Sequence, residues 1–89
     1  MKEIKCRIEG QVQDVCMRDY VSHLAQKLGV AGTVENMADG SVEVFAQGHT
    51  NTLLEFVRGL EVGSEHADVK KVIVEHREIH DTLYRFSIL

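Results

Sequence analysis

The sequence predicts an α+β fold in which two helices cover one face of an antiparallel sheet. Runs of alternating apolar and polar residues are typical of half-buried strands, and apolar residues at helical spacing are typical of amphipathic helices. These runs follow the order β-α-β-β-α-β, so that each half of the chain contains strand, helix and strand. That order predicts the ferredoxin-like split βαβ sandwich. Because this fold carries many unrelated activities, the function has to be inferred from a site.

The first half of the chain is predicted to contain a strand, a loop, a helix and a second strand. Three apolar residues that alternate with charged ones predict the first strand: Ile4, Cys6 and Ile8. A loop over residues 10–18 leads into the helix, which ends at Gly29, a residue suited to the left-handed position after a helix. The apolar residues of the helix recur at helical spacing: Met17, Val21, Leu24, Ala25 and Leu28. Residues 31–36 predict a short second strand.

The second half repeats this pattern after a turn over residues 37–40. The third strand has three alternating apolar positions: Val42, Val44 and Ala46. The second helix, for which Thr50 and Thr52 are both candidate caps, has one apolar face: Leu53, Phe56, Val57 and Leu60. Residues 69–75 are predicted to form a fourth strand, and a turn is predicted after it, over residues 78–82. Three further alternating residues predict a last strand: Tyr84, Phe86 and Ile88.

Length, composition and charge limit the class of protein. We expect residues 1–89 to form a single domain, because a chain of 89 residues with 44% apolar residues can bury one core. The net charge of −4 disfavours nucleic acids and anionic membranes as partners. Since no apolar run has membrane-spanning length and the first residues lack a signal-peptide core, we expect a cytoplasmic protein. We also expect a monomer, although an exposed sheet edge leaves self-association open.

The cysteines and histidines do not form a convincing metal or disulfide pattern. Cys6 and Cys16 are too few and too isolated for a disulfide scaffold or a zinc site. Cys6 falls in a strand pattern, which favours a reduced thiol in the core. The histidines are scattered and are interpreted as surface residues, with only a faint metal pair at His76 and His80. We therefore expect no metal site.

The loop over residues 10–18 is the strongest candidate for a site. Val12 and Val15 are apolar at positions where a solvated loop would be polar. The loop ends at Arg18, at the start of the first helix. Main-chain N–H groups at a helix start, with a guanidinium beside them, bind phosphate-sized anions. An arginine in this place could equally pair with a neighbouring carboxylate, so the pattern alone leaves both interpretations open.

Two motifs, in this order along the chain, resemble the signatures of the acylphosphatase family. Residues 10–18, GQVQDVCMR, resemble the first signature, in which G-x-V-Q-G-V is followed by any residue, an aromatic or Met, and Arg. Residues 32–36, GTVEN, followed by Gly40, Val42 and Gly48, resemble the second signature. Later positions follow the family's pattern as well: Leu60, Gly63, Ala67, Val69, Phe86 and Ile88. The resemblance therefore covers essentially the whole chain.

This resemblance implies an enzyme that hydrolyses the carboxyl–phosphate bond of small acyl phosphates to a carboxylate and phosphate, without a metal or a cofactor. Arg18 matches the phosphate-binding arginine of the family, and Asn36 matches the asparagine that orients the attacking water. Inorganic phosphate or sulfate is expected to bind at the Arg18 loop. The residues that match the phosphate-binding loop are Gln13, Asp14, Val15, Cys16, Met17 and Arg18.

Three residues depart from the family's pattern, and they predict weakened activity. Asp14 stands where the family has Gly. Aspartate tolerates a positive φ better than most residues, but its carboxylate would lie near a bound phosphate or compete for Arg18. Thr33 replaces an aromatic residue, and Glu35 replaces a residue that is usually basic or neutral. We expect Glu35 to point away from Asn36 on its strand.

Three other functions remain open at this point. A catalytically silent relative could keep Arg18 and bind phosphate or a protein partner without turnover. A nucleic-acid-binding domain of the same fold would expose aromatic residues on its central strands, where Phe45 is the one candidate. A metal carrier of this fold would need a C-x-x-C pair, which is absent from the sequence.

Overall fold

The computed structural model describes every residue from Met1 to Leu89. The elements follow the predicted order, with the last strand separated from the fourth by an irregular connector. Neither helix is long and apolar enough to cross a membrane. The bounds are β1 (Lys2–Gln11), α1 (Met17–Leu28), β2 (Ala31–Asn36), β3 (Val42–Gly48), α2 (Thr50–Val62), β4 (Asp68–Arg77) and β5 (Phe86–Ile88).

The five strands form one sheet in the order β4-β1-β3-β2-β5. The pairs β1–β3, β1–β4 and β2–β3 are antiparallel, as predicted, but β2 and β5 are parallel. The expectation of a purely antiparallel sheet is therefore wrong, and the sheet is mixed. The chain reverses direction between β4 and β5, and β2 already runs opposite to β4. A last strand that joins the sheet beside β2 must for this reason run parallel to it.

Two details at the ends of elements also differ from the predictions. Tyr84 lies outside β5, and its side chain is 91% exposed. Thr50 and Thr52 both lie within α2, whose N-cap is His49 and which has no side-chain cap. Neither predicted cap is therefore correct, because the helix begins earlier than the spacing of Thr52 and Glu55 suggested.

The core lies between one face of the sheet and the two helices. Phe56 of α2 is fully buried and meets Phe86 of β5 edge to face, with the ring centroids 6.2 Å apart. Cys6 is fully buried as predicted, and desolvation raises the pKa of its thiol to about 12. The buried apolar residues are Ile4, Cys6, Ile8, Val12, Met17, Val21, Ala25, Val30, Val34, Val42, Val44, Ala46, Leu53, Phe56 and Leu60.

The opposite face of the sheet carries charged residues around Phe45. The Arg77 guanidinium lies 5.0 Å from the centre of the Phe45 ring, and the Lys5 ammonium lies 5.8 Å from it. These cations shield the ring that a nucleic-acid-binding sheet would present for base stacking.

Gln47 of β3 fastens the connector between β4 and β5 onto the sheet. Its side chain is 1% exposed. Its Nε2 donates to the Glu3 carboxylate at 2.8 Å and to the Asp81 carbonyl at 2.7 Å. Its Oε1 accepts a hydrogen bond from the Leu83 N–H at 2.8 Å. Gln47 thus guides the connector across the sheet, so that β5 reaches the edge beside β2.

Replacement of Gln47 by Ala should lower the free energy of unfolding by about 2–3 kcal/mol. The Leu83 N–H would be left unsatisfied, at about 1–3 kcal/mol, and the Glu3 carboxylate would lose a hydrogen bond worth about 1 kcal/mol while it keeps its ion pair with Arg77 at 3.6 Å. Chemical denaturation measures this change. Gln26→Ala, on the exposed side of α1, is the matched control and should change stability by less than about 0.5 kcal/mol. Equal stability of the two variants would show that Gln47 does not hold the connector.

Candidate active site

The loop between β1 and α1 has an unusual backbone held in place by apolar side chains. Val12 is 1% exposed, and Val15 is half-buried against the core. Asp14 has φ 62° and Cys16 has φ 59°, whereas the residue between them has a negative φ. A left-handed conformation costs a residue other than Gly about 1–2 kcal/mol. Asp14 therefore occupies the kind of position that the Gly of the family signature suits, and the positive φ at Cys16 was not foreseen.

This backbone leaves a series of hydrogen-bond donors free at the start of α1. The N-cap residue, Cys16, makes no side-chain capping bond. The first helical N–H that bonds back to the loop is that of Tyr20, which donates to the Cys16 carbonyl at 3.1 Å. The N–H groups of residues 14–19 donate to no main-chain acceptor. Changes in the sign of φ along a loop turn N–H groups into an anion-binding concavity, and the helix dipole adds positive potential.

A cavity of about 170 Å³ lies against this loop, the first turn of α1 and the end of β2. It brings together Arg18 and Asn36, the two residues that the sequence placed in one site. The approach of Ile88 shows that β5 also borders the cavity. The complete lining is Val12, Asp14, Cys16, Met17, Arg18, Asp19, Asn36 and Ile88.

Asn36 contributes an acceptor oxygen that no protein group satisfies. Its Oδ1 is buried and has no hydrogen-bond partner. A buried polar atom without a partner costs about 1–3 kcal/mol, so such atoms are rare outside functional sites. An amide oxygen at a cavity wall can accept a hydrogen bond from a small ligand or from water. Glu35, the preceding residue, is exposed and does not line the cavity.

Arg18 is oriented by Leu89, the residue after β5, rather than by an acidic side chain. Its Nη1 donates to the main-chain oxygen of Leu89 at 2.9 Å. Arg18 forms no salt bridge with Asp14 or with any other acidic residue. The expected competition of Asp14 for the guanidinium is therefore not seen. One edge of the guanidinium is occupied by Leu89, and its remaining donors are available at the cavity.

Three of the predicted loop residues face away from the cavity or serve the core. Gln13 directs its Nε2 to the carbonyls of Met37 and Ser41, at 2.8 and 2.9 Å, and so ties the loop to the turn between β2 and β3. Val15 does not line the cavity, and Met17 is 2% exposed in the core. Gln13 and Val15 can contribute to a site only through the main chain and by fixing its shape.

A further contact with this loop was missed by sequence reasoning. Ser64, in the connector between α2 and β4, donates a hydrogen bond from its Oγ to the Val15 carbonyl at 2.6 Å. The two residues lie 49 positions apart in sequence. A single serine after a helix carries no pattern that would reveal such a contact.

Comparison with known proteins decides the family. The family model described as Acylphosphatase matches residues 4–88. The chain belongs to the acylphosphatase family. Acylphosphatases are hydrolases of acyl phosphates, and the predicted family and enzyme class are thereby confirmed.

Individual acylphosphatases match along most of the chain. The enzyme from Geobacillus thermodenitrificans is 36% identical over 89 residues, which cover 100% of this chain and 95% of that protein. The enzyme from Thermotoga petrophila is 44% identical over 75 residues, 84% of this chain and 83% of that protein. The crystal structure of acylphosphatase from Bacillus subtilis has a TM-score of 0.97 at 35% identity and covers 100% of this chain and 99% of that one. Fold and family thus agree.

Replacement of Asp14 by Gly should raise catalytic efficiency towards an acyl phosphate and affinity for inorganic phosphate. Glycine adopts the observed φ of 62° without strain. Removal of a like charge at roughly 5 Å from a bound anion is worth about 1–3 kcal/mol, which corresponds to a gain of at least about fivefold. The kcat/KM for benzoyl phosphate and the inhibition constant of phosphate measure both effects.

Asp14→Asn separates charge from strain, because asparagine tolerates a left-handed backbone about as well as aspartate does. The Asn variant should show most of the gain if charge is the main penalty. A glycine variant equal to or slower than the wild type would refute the prediction.

Proposed function

We propose that this protein hydrolyses small acyl phosphates to a carboxylate and phosphate by direct attack of water, without a metal or a cofactor. The proposal rests on three features that occur together at one small cavity. Arg18 supplies a guanidinium, residues 14–19 supply free main-chain N–H groups, and Asn36 supplies a buried acceptor oxygen without a partner.

The phosphoryl group binds at the start of α1. The free N–H groups of residues 14–19 and the Arg18 guanidinium donate to its oxygens, with the helix dipole behind them. Negative charge on these oxygens is stabilised by donors that are already in position and need no reorganisation during the reaction. The hydrogen bond to Leu89 fixes the Arg18 side chain before the substrate arrives.

Asn36 positions the nucleophile. A carboxamide cannot remove a proton at neutral pH, but its Oδ1 can accept a hydrogen bond from a water molecule and hold it in line with phosphorus. This role supplies the partner that the buried Oδ1 lacks within the protein. Positioning of this kind converts a bimolecular step into an effectively unimolecular one.

The leaving group explains why so few residues are enough. Cleavage of the phosphorus–oxygen bond releases a carboxylate, which is stable at neutral pH and departs without being protonated. A phosphate ester would release an alkoxide and would need an acid or a metal ion to stabilise it. The site therefore suits acyl phosphates in preference to phosphate esters.

We also propose that residues 1–89 act as one domain, as a monomer in the cytoplasm, and that inorganic phosphate or sulfate binds at the Arg18 loop. The free donors of the loop support the anion site. Phosphate, as a product, should then inhibit the enzyme by competing with the substrate.

A second candidate function is phosphate binding without turnover. It is favoured by one observation, the Asp14 carboxylate among the residues that line the cavity. A carboxylate there repels the negative charge that builds up on the phosphoryl oxygens. Phosphate could then still bind while hydrolysis is suppressed.

Replacement of Arg18 and Asn36 by Ala should separate binding from catalysis. Arg18→Ala should weaken phosphate binding and lower kcat/KM for benzoyl phosphate by about 100-fold or more, the effect of removing one oxyanion donor. Asn36→Ala should lower kcat by a similar factor of about 100 while phosphate affinity stays within about twofold, because Asn36 contacts the water and not the anion.

Arg58→Ala and Asn51→Ala, both exposed on α2, are the matched controls and should behave as the wild type. A wild-type protein that binds phosphate without hydrolysing benzoyl phosphate would favour the second candidate function. Unchanged turnover in Asn36→Ala would contradict the role of Asn36.

A further inference from the structure

Ser64 forms a hydrogen bond with the Val15 carbonyl, which lies between the two left-handed residues of the loop, Asp14 and Cys16. It is 8% exposed and donates from Oγ to the Val15 carbonyl at 2.6 Å. The main chain around Ser64 is fixed as well, because the Ala67 N–H donates to the Ser64 carbonyl at 3.0 Å. Gly63, with φ 74°, follows the last residue of α2, and a Cβ at this position would lie 2.8 Å from Val69 Cγ2 and 3.3 Å from Ala67 Cβ, so the neighbouring side chains leave little room there. The hydroxyl is therefore presented from a rigid connector.

The direction of this hydrogen bond determines where the next N–H group points. Peptide bonds are planar, and none in this chain is cis. The C=O of Val15 and the N–H of Cys16 belong to the same trans peptide and point in opposite directions. Neither Val15 nor Ser64 lines the cavity, whereas Asp14 and Cys16 both do. The bond to Ser64 thus turns the carbonyl away from the cavity and the Cys16 N–H towards it.

The Cys16 backbone depends on outside support. Its φ of 59° is unfavourable for a residue with a side chain. Rotation of the peptide between Val15 and Cys16 would relieve this strain, but it would direct an N–H away from the anion and a carbonyl oxygen towards it. The hydrogen bond from Ser64 opposes that rotation, because the rotated carbonyl would lose its partner. The Cys16 N–H itself donates to no main-chain acceptor, so nothing else in the backbone hydrogen bonding holds it.

We propose that Ser64 is a positioning residue of the active site, which acts through the Val15 carbonyl to aim the Cys16 N–H at the phosphoryl group. This inference rests on the proposed function, since it names a residue that orients the same anion site. Ser64 does not touch the substrate. Together with Gln13, which ties the other side of the loop to the turn between β2 and β3, it fixes the loop from the two sides.

The test compares Ser64→Ala and Ser64→Thr with the wild type by calorimetric titration of inorganic phosphate and by kinetics with benzoyl phosphate. Ser64→Ala should weaken phosphate binding and lower kcat/KM, each by about tenfold, the usual effect of one hydrogen bond. Ser64→Thr keeps a hydroxyl and should restore both to within about threefold. Ser22→Ala is the matched control, because Ser22 is also 8% exposed but lies on α1 away from the cavity lining.

Thermal unfolding of each variant separates positioning from general stability. A folded Ser64→Ala protein with the phosphate affinity and kinetics of the wild type would overturn the proposal, even if its Tm were lower. If Ser64→Ala does not fold, Ser64→Cys takes its place; its thiol is a weak donor and should give the same losses. A wild-type protein that neither binds phosphate nor hydrolyses benzoyl phosphate would overturn the proposed function and this inference together. A functional wild type with an unaffected Ser64 variant would overturn the inference alone.

Discussion

The site depends on one constraint: the N–H groups at the start of α1 have no partner within the protein and must remain accessible to a polar ligand. Main-chain donors without partners cannot be buried at acceptable cost, so this part of the helix has to face a cavity that a polar ligand can enter. No side chain caps the helix. The donors therefore remain available for an anion, and Arg18 adds a full positive charge in the first turn. A net charge of −4 makes this local concentration of donors necessary for binding an anionic substrate.

The rest of the fold holds these donors in place. The loop is anchored by Val12 in the core, by Gln13 at the turn between β2 and β3, and by Ser64 at the end of α2. Gln47 fastens the connector that brings β5 to the sheet edge, and Leu89 beyond β5 then orients Arg18. Residues from both halves of the chain thus converge on one loop. A site that gains its rate from preorganised donors requires rigid support of this kind.

Local patterns were enough to predict most of the fold, whereas the proposed site residues depended on the resemblance to the family signatures. Period-two and helical spacings mark elements one at a time. The resemblance to two family signatures assigned Arg18 and Asn36 to one site, and both residues line the same cavity. The parallel pairing of β5 could not be predicted, because the pattern around Phe86 does not show which sheet edge the strand will join. Ser64 was missed because its partner lies 49 residues away and a lone serine has no periodicity. The left-handed backbone at Cys16 was missed because cysteine carries no preference for it.

Titration of the isotope-labelled protein with inorganic phosphate, followed in its amide NMR spectrum, would show whether the free donors at the start of α1 form the anion site. We expect saturable shifts that are largest for the amides of residues 14–19, which donate to no main-chain acceptor, and for the Arg18 side chain, whose donors other than the one to Leu89 have no protein partner. The Asn36 carboxamide should shift less, since its proposed partner is the attacking water rather than the anion. Saturable binding with its largest shifts elsewhere on the molecule, or no saturable shift, would show that these donors do not form the anion site.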